Sequence, residues 1–225
     1  METDWSGMEW TGLEWIGKEW FYFNKGNIMS NFTTVKVHIK GTRPILFHAF
    51  REEVLSETKK VRGGSQGNDP TEWKSTVQMD EKRQLFVTHL NFFAMIKNAA
   101  KHTKIGRGTI KDKVGATIQI PPENYYLIDR FVPKDDMLDR DESKPVYLHV
   151  CSVKNPATKG RNLRYRVAAS PGWEIKFTLT WDERIVSKET LKGVIEDAGI
   201  LEGFMDGRNI GYGRFDLIDF EIIKD

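Results

Sequence analysis

Three stretches of the chain carry cations beside glycine in a pattern suited to a polyanion. The first holds Lys101, Lys104, Arg107, Lys111 and Lys113 around Gly106 and Gly108. The second holds Lys154, Lys159, Arg161, Arg164 and Arg166 with no acid between them, and Tyr165 within. The third is the glycine-rich loop Leu201–Phe215, with Gly203, Gly207, Gly211, Gly213, Arg208, Tyr212 and Arg214. Lysine and arginine neutralise phosphates, and tyrosine rings stack on unpaired bases, so together these types suit single-stranded nucleic acid. Two nucleotide motifs are excluded at the third stretch. No Gly-Lys-Ser/Thr follows its glycines, and it runs from a helix into a strand, the reverse of a dinucleotide fingerprint.

Catalytic constellations are sparse. The five histidines His38, His48, His89, His102 and His149 include no pair at zinc-helix spacing. No Gly-x-Ser-x-Gly elbow occurs. A metal-independent ribonuclease needs only a histidine acid/base and a cation, so His48, or His102 beside Lys104 and Arg107, is the minority catalytic reading. The acids Asp129, Asp135, Asp136, Asp139, Asp141 and Glu142 alternate with Arg130, Lys134 and Arg140, which reads as a solvated loop and not a metal site. The expectation is no catalytic residue, no metal and no cofactor.

With 225 residues, 39% hydrophobic and 29% charged, the chain suits one core with elaborations. A net charge of +2 makes the distribution of cations matter more than their sum. Cys151 is alone, which excludes a disulfide framework and fits a reducing cytoplasm. No apolar run reaches membrane-span length, and the N-terminus does not look like a signal peptide.

The elements that must position these residues follow from periodicity. Val35, Val37 and Ile39 alternate with Lys36, His38 and Lys40, which predicts a strand over 33–40. A helix is expected over 88–101, capped by Thr88 and burying Phe93, Ile96 and Ala100. Residues 115–120 read as a strand stopped by Pro121 and Pro122. Pro145–Val150 and Leu163–Val167 form a strand pair, with Arg164 and Arg166 on one face and Tyr165 on the other. Ile175, Phe177, Leu179 and Trp181 alternate through a strand over 174–181. Ser187 caps a helix striped by Leu191, Val194, Ile195 and Ala198, and a strand over 214–223 closes the chain. Residues 1–27 repeat tryptophan every five positions (Trp5, Trp10, Trp15, Trp20), a step that makes no stripe on helix or strand, so they read as a loosely ordered tail. Residues 28–225 then form one domain. The order is β-α-β-β-α-β, an α+β ferredoxin-like antiparallel sheet with an inserted basic hairpin and loops.

Ala198-Gly-Ile200, Gly203, Asp206-Gly-Arg208 and Gly211-Tyr-Gly-Arg-Phe215 resemble the glycine-rich loop of the RAMP superfamily, the ferredoxin-like RNA-binding subunits of CRISPR effector complexes. Asn98-Ala-Ala-Lys101, Lys104-Ile-Gly-Arg107, Thr42–His48 and Gly160–Arg166 also resemble stretches of uncharacterised phage proteins. The resemblance implies single-stranded RNA or guide-RNA binding, side-by-side assembly and usually no catalysis. Combined with the residues, it gives a non-catalytic, cytoplasmic binder of single-stranded RNA or DNA, partnered by copies of itself or effector-complex subunits and by no membrane. The alternatives are a metal-independent endoribonuclease and an assembly subunit without nucleic acid.

Overall fold

In a computed structural model the placements described are those of residues 31–49, 70–134, 138–154 and 160–223. The tryptophan repeat and Lys159 lie outside them. Chain order gives β1 (Phe32–Gly41), β2 (Ile45–Phe47), α1 (Glu72–Thr76), β3 (Gln84–Thr88), α2 (His89–Ala99), β4 (Lys104–Ile105), β5 (Gly108–Thr109), α3 (Lys111–Thr117) and β6 (Asn124–Phe131). Then come β7 (Val146–Lys154), β8 (Arg161–Ala169), β9 (Glu174–Asp182), α4 (Lys188–Asp197), a π-helical turn (Ala198–Glu202), a 3-10 turn (Arg208–Ile210) and β10 (Phe215–Ile223). All described residues fall within one compact unit, Asn31–Asp225.

The principal sheet runs β10-β1-β9, antiparallel throughout. Alternation in β1 puts Val35, Val37 and Ile39 into the core and leaves Lys36 and Lys40 exposed. Helices α2 and α4 cover the buried face. Phe92 is fully buried and stacks on Phe177 of β9 at 4.1 Å between ring centroids. Truncating such a ring costs about 3–5 kcal/mol. The stripe of α2 is Phe92, Met95, Ile96 and Ala99. Of the expected Phe93, Ile96 and Ala100, the last two are fully buried, and Phe93 is half-buried against the core while Phe92 takes the central place. Its first turn is closed by Asn91, whose Oδ1 accepts the Thr88 N–H at 2.9 Å. In α4, Ser187 Oγ accepts the Thr190 N–H at 3.3 Å.

The order β1, α2, β9, α4, β10 is the ferredoxin-like core, with one departure. The strand expected over 115–120 begins instead as α3. Val114, Thr117 and Ile118 are buried at helical spacing, and that period overrides the β-branched composition. The second inner strand is reduced to one bridge, where Gln119 and Thr180 exchange backbone hydrogen bonds at 2.7 and 2.8 Å along the free edge of β9. The inserted hairpin β7–β8 takes β2 as a third strand, giving a sheet β2-β8-β7, while β3 and β6 form a separate ribbon. The π-helical turn passes so close over β10 that a Cβ on Gly199 would lie 2.1 Å from the Phe215 carbonyl oxygen.

Candidate nucleic-acid interface

The glycine-rich loop is a built structure and not a slack connection. Phe204 anchors it in the core. The Phe204 N–H donates to the Gly213 carbonyl at 2.9 Å, and the Gly213 N–H donates to the Pro44 carbonyl at 2.7 Å. Gly213 has a φ of +68°, and a Cβ there would meet the Phe204 carbonyl oxygen at 2.0 Å. Both the left-handed backbone and the close approach require glycine. The Thr42 and Arg43 N–H groups both donate to the Arg214 carbonyl, at 2.8 and 3.2 Å. The arginines are therefore presented on a fixed frame.

That frame walls a cleft of about 440 Å³ with Lys101, Arg208, Arg214, Glu202 and Asp206 among its lining residues. Lys101 follows α2 directly, so the first basic segment meets the third here. The two acids are already engaged. Glu202 pairs with Lys101 and with His102 Nε2, the latter at 2.9 Å. Partial burial pushes the Glu202 carboxyl up, but the hydrogen bonds from Lys101 and His102 outweigh it and hold the group below its usual range. Asp206 Oδ2 lies 2.8 Å from Arg166 Nε, off the line of its N–H. Arg208 has no ion pair among the described residues. Arg214 reaches only the Arg208 carbonyl, at 3.5 Å through Nη2, and its Nη1 is buried without a partner. Among the described residues the two guanidiniums thus flank the cleft without a neutralising carboxylate. An anion carrying several acceptor oxygens would satisfy both.

The second basic segment is divided. Lys154 and Arg161 are exposed at the far end of the β7–β8 hairpin. Arg164 pairs with Glu72 of α1, and Arg166 is turned inward to Asp206 with Nη1 3.2 Å from Cys151 Sγ. Tyr165 is 7% exposed, because Glu72 accepts its N–H at 3.2 Å and α1 lies over β8. This corrects the expectation of a stacking ring on the free face of the hairpin. The arginine face, not the tyrosine face, is covered by the loop. Lys104, Arg107 and Lys113 are exposed on the β4–β5 hairpin and α3, Lys111 is half-buried, and none of them lines the cleft.

Tyr212 also points inward. Its hydroxyl shares a 2.9 Å hydrogen bond with His149 Nε2, and the rings meet edge to face at 5.1 Å. Tyr212 packs on the small cluster of Leu46, Tyr147 and Ala168 on the outer side of the second sheet. His149 is held below its ordinary value, first by burial and then by Arg166. His48 is lowered by burial as well, with Asp206 opposing and Arg166 reinforcing. This polar layer ties the loop to the hairpin. The pairings of Glu72, Asp206 and Glu202 have no sequence signal, because each partner lies far away in the chain. Among the described residues no group of acids, histidines and cysteine is arranged to hold a metal, and no helix is long and apolar enough to cross a membrane.

No family model matches the sequence, and a search of curated proteins finds no match. Among solved structures, one similar chain is in the cryo-EM structure of the Type III-B Cmr-beta bound to cognate target RNA. It has a TM-score of 0.46 and 13% identity, over 86% of this chain and 61% of that one. The present chain therefore spans less than two thirds of that chain's length.

Proposed function

We infer that the chain binds single-stranded nucleic acid, RNA or DNA, without catalysis, and that its phosphates sit in the cleft of Lys101, Arg208 and Arg214. The observation that carries this reading is the meeting of Lys101 with Arg208 and Arg214 at one cleft in which, among the described residues, neither arginine has a carboxylate partner. Phosphate oxygens would supply the acceptors. In the finer form of this reading the chain is a RAMP-like, cytoplasmic subunit that lies side by side with copies of itself or with effector-complex subunits along a strand. The glycine-rich loop lying between the last helix and the last strand supports that form. Fluorescence anisotropy with a labelled oligonucleotide at low and moderate salt tests it. Affinity is expected to fall steeply as salt rises, because bound phosphates release counterions. Absence of binding at low salt removes this reading and leaves the assembly subunit.

One observation favours a second reading, a metal-independent ribonuclease. His102 is held by Glu202, which lines the same cleft together with Lys101. A histidine held by a carboxylate beside cations is the minimum that acid/base cleavage of RNA requires. Incubation with labelled RNA decides between the two. Cleavage that disappears in His102→Ala selects the nuclease, and intact RNA with normal binding selects the binder.

A further inference from the structure

A second concavity, of about 580 Å³, opens on the solvent face of the principal sheet, away from the glycine-rich loop. Its floor is made of cross-strand rows set by register. Lys36 of β1 stands between Glu221 of β10 and Thr178 of β9, and His38 stands between Asp219 and Lys176. Tyr126 of β6 forms one wall. The Tyr126 ring is 41% exposed and braced by Phe86, at 5.9 Å and 59° between planes. Lys36, Lys176 and Glu221 have no ion pair among the described residues, and Asp219 accepts only the neighbouring Phe220 N–H.

We propose that this cleft is a mononucleotide site that takes guanine nucleotides by preference. The three parts of a nucleotide each find a complement. A base stacks on the open face of Tyr126, as bases do on exposed aromatic rings. The phosphate pairs with Lys36 and Lys176. The carboxylates of Asp219 and Glu221 can only accept. Guanine presents two adjacent N–H donors on its pairing edge, which match the two oxygens of one carboxylate. Adenine and cytosine place an acceptor beside their amino group and oppose the carboxylate with a lone pair. Mixed charge around an aromatic wall is thus a composition that suits a nucleotide. The volume lies in the range of small-ligand clefts, and the site uses no residue of the arginine cleft, so it does not depend on the function proposed above.

Calorimetric titration of the full chain with guanosine monophosphate tests the site, with adenosine monophosphate and guanosine as comparators. Saturable binding is expected, about tenfold weaker for the adenine nucleotide. Tyr126→Ala is expected to weaken it about tenfold through loss of stacking. Lys36→Ala with Lys176→Ala is expected to reduce phosphate-dependent binding to the level of guanosine. Arg208→Ala with Arg214→Ala is expected to leave it unchanged, even if oligonucleotide binding is abolished. Tyr126 is 41% exposed, so its variant should lower the melting temperature only slightly. No nucleotide binding, equal affinity for guanine and adenine nucleotides, or binding lost only in the Arg208/Arg214 variant each overturns the proposal. So does a dimer that Tyr126→Lys converts to monomer, because the face would then be an interface between copies.

Discussion

Arg164 and Arg166 on one side, and Arg208 and Arg214 on the other, look alike in the sequence and end differently in the fold. The first pair meets carboxylates, Glu72 and Asp206, brought from distant parts of the chain. Among the described residues the second pair meets a backbone carbonyl and no carboxylate. A cation's role here is decided by whether the topology delivers an acid to it. The contrast runs through the loop itself, since Tyr212 faces the hairpin and Asp206, at the edge of the cleft, pairs with the hairpin's Arg166, while Arg208 and Arg214 line the cleft.

The largest expected effect removes the frame on which both pairs depend. Gly213→Ala places a side chain at positive φ and against the Phe204 carbonyl. The loss should reach about 3 kcal/mol or more, between the backbone penalty and the forced shift of a core-anchored residue. Chemical denaturation should show it as a lower midpoint. By contrast, a Cβ on Gly211 meets nothing within 4 Å. Gly211→Ala keeps only the left-handed penalty, about 1 kcal/mol.

Next in size is the inward pair. Arg166→Ala leaves Asp206 facing His48 with no cation, in a site where Arg166 is 9% and Asp206 33% exposed. A fully buried broken pair costs about 3–5 kcal/mol, and the exposure of Asp206 reduces this to about 2–3. Oligonucleotide affinity measured well below the melting temperature should fall only slightly, through the Asp206 carboxylate left unpaired at the cleft. The outward pair should give the opposite result. Arg208→Ala with Arg214→Ala should melt normally, bind more weakly, and flatten the slope of log affinity against log salt by about 1.4, roughly 0.7 per lost phosphate contact to a single strand. If Arg166→Ala weakens binding without destabilising, or the outward pair destabilises without affecting binding, the two have been assigned the wrong way round.

The core was more legible than the site, for a physical reason. Strands 33–40, 174–181 and 214–223 and the helix over 187–198 carry period-two or 3.6-residue patterns over eight or more residues, and the structure places β1, β9, β10 and α4 there. Residues 115–120 misled because six residues hold too little periodicity to separate a strand from the end of a helix. Tyr165 misled because alternation says that two faces differ, but not that both are covered. Lys101 joining Arg208 and Arg214 at one cleft has no local signal in the sequence. The partners that sort the cations, Glu72, Asp206 and Glu202, were not legible, because no local pattern encodes a contact across the chain.

Tyr212→Phe is a smaller perturbation of the inward side. It deletes the hydroxyl bonded to His149 and keeps the ring on Leu46, Tyr147 and Ala168. His149 Nδ1 is already buried without a partner, so the variant leaves both ring nitrogens unsatisfied. The cost should be about 1–2 kcal/mol, read by denaturation. Binding should be unaltered, because the ring is not at the cleft. A loss of affinity at constant stability would instead mean that Tyr212 swings out to meet a base.

The smallest expected effect is a pH dependence that belongs to the inward side alone. His149 faces Arg166, Tyr212, Asp206, Glu142 and Cys151, and burial first, then Arg166, holds its folded pKa below the ordinary 6.5. Between that lowered value and 6.5 the unfolded chain binds a proton that the folded chain refuses, so stability rises with pH across this window. The contribution is complete above 6.5 and is lost as the pH falls through the window. His48 is shifted in the same direction and adds to it. Carboxylates do not confuse the measurement. Glu174 is held down by its hydrogen bond to Lys40, with His38 assisting, and Glu202 by Lys101 and His102, so both act only below their ordinary 4.5. Melting temperatures taken between about pH 7.5 and pH 5 should therefore fall with acidification. His149→Gln, which keeps a polar group near the Tyr212 hydroxyl and does not titrate, should remove part of that fall. Oligonucleotide binding by the outward arginines, which stay charged throughout, should change less than stability does. A fall in melting temperature of the same size in His149→Gln would show that the proton is taken up elsewhere, and that the tie between the loop and the hairpin is insensitive to pH.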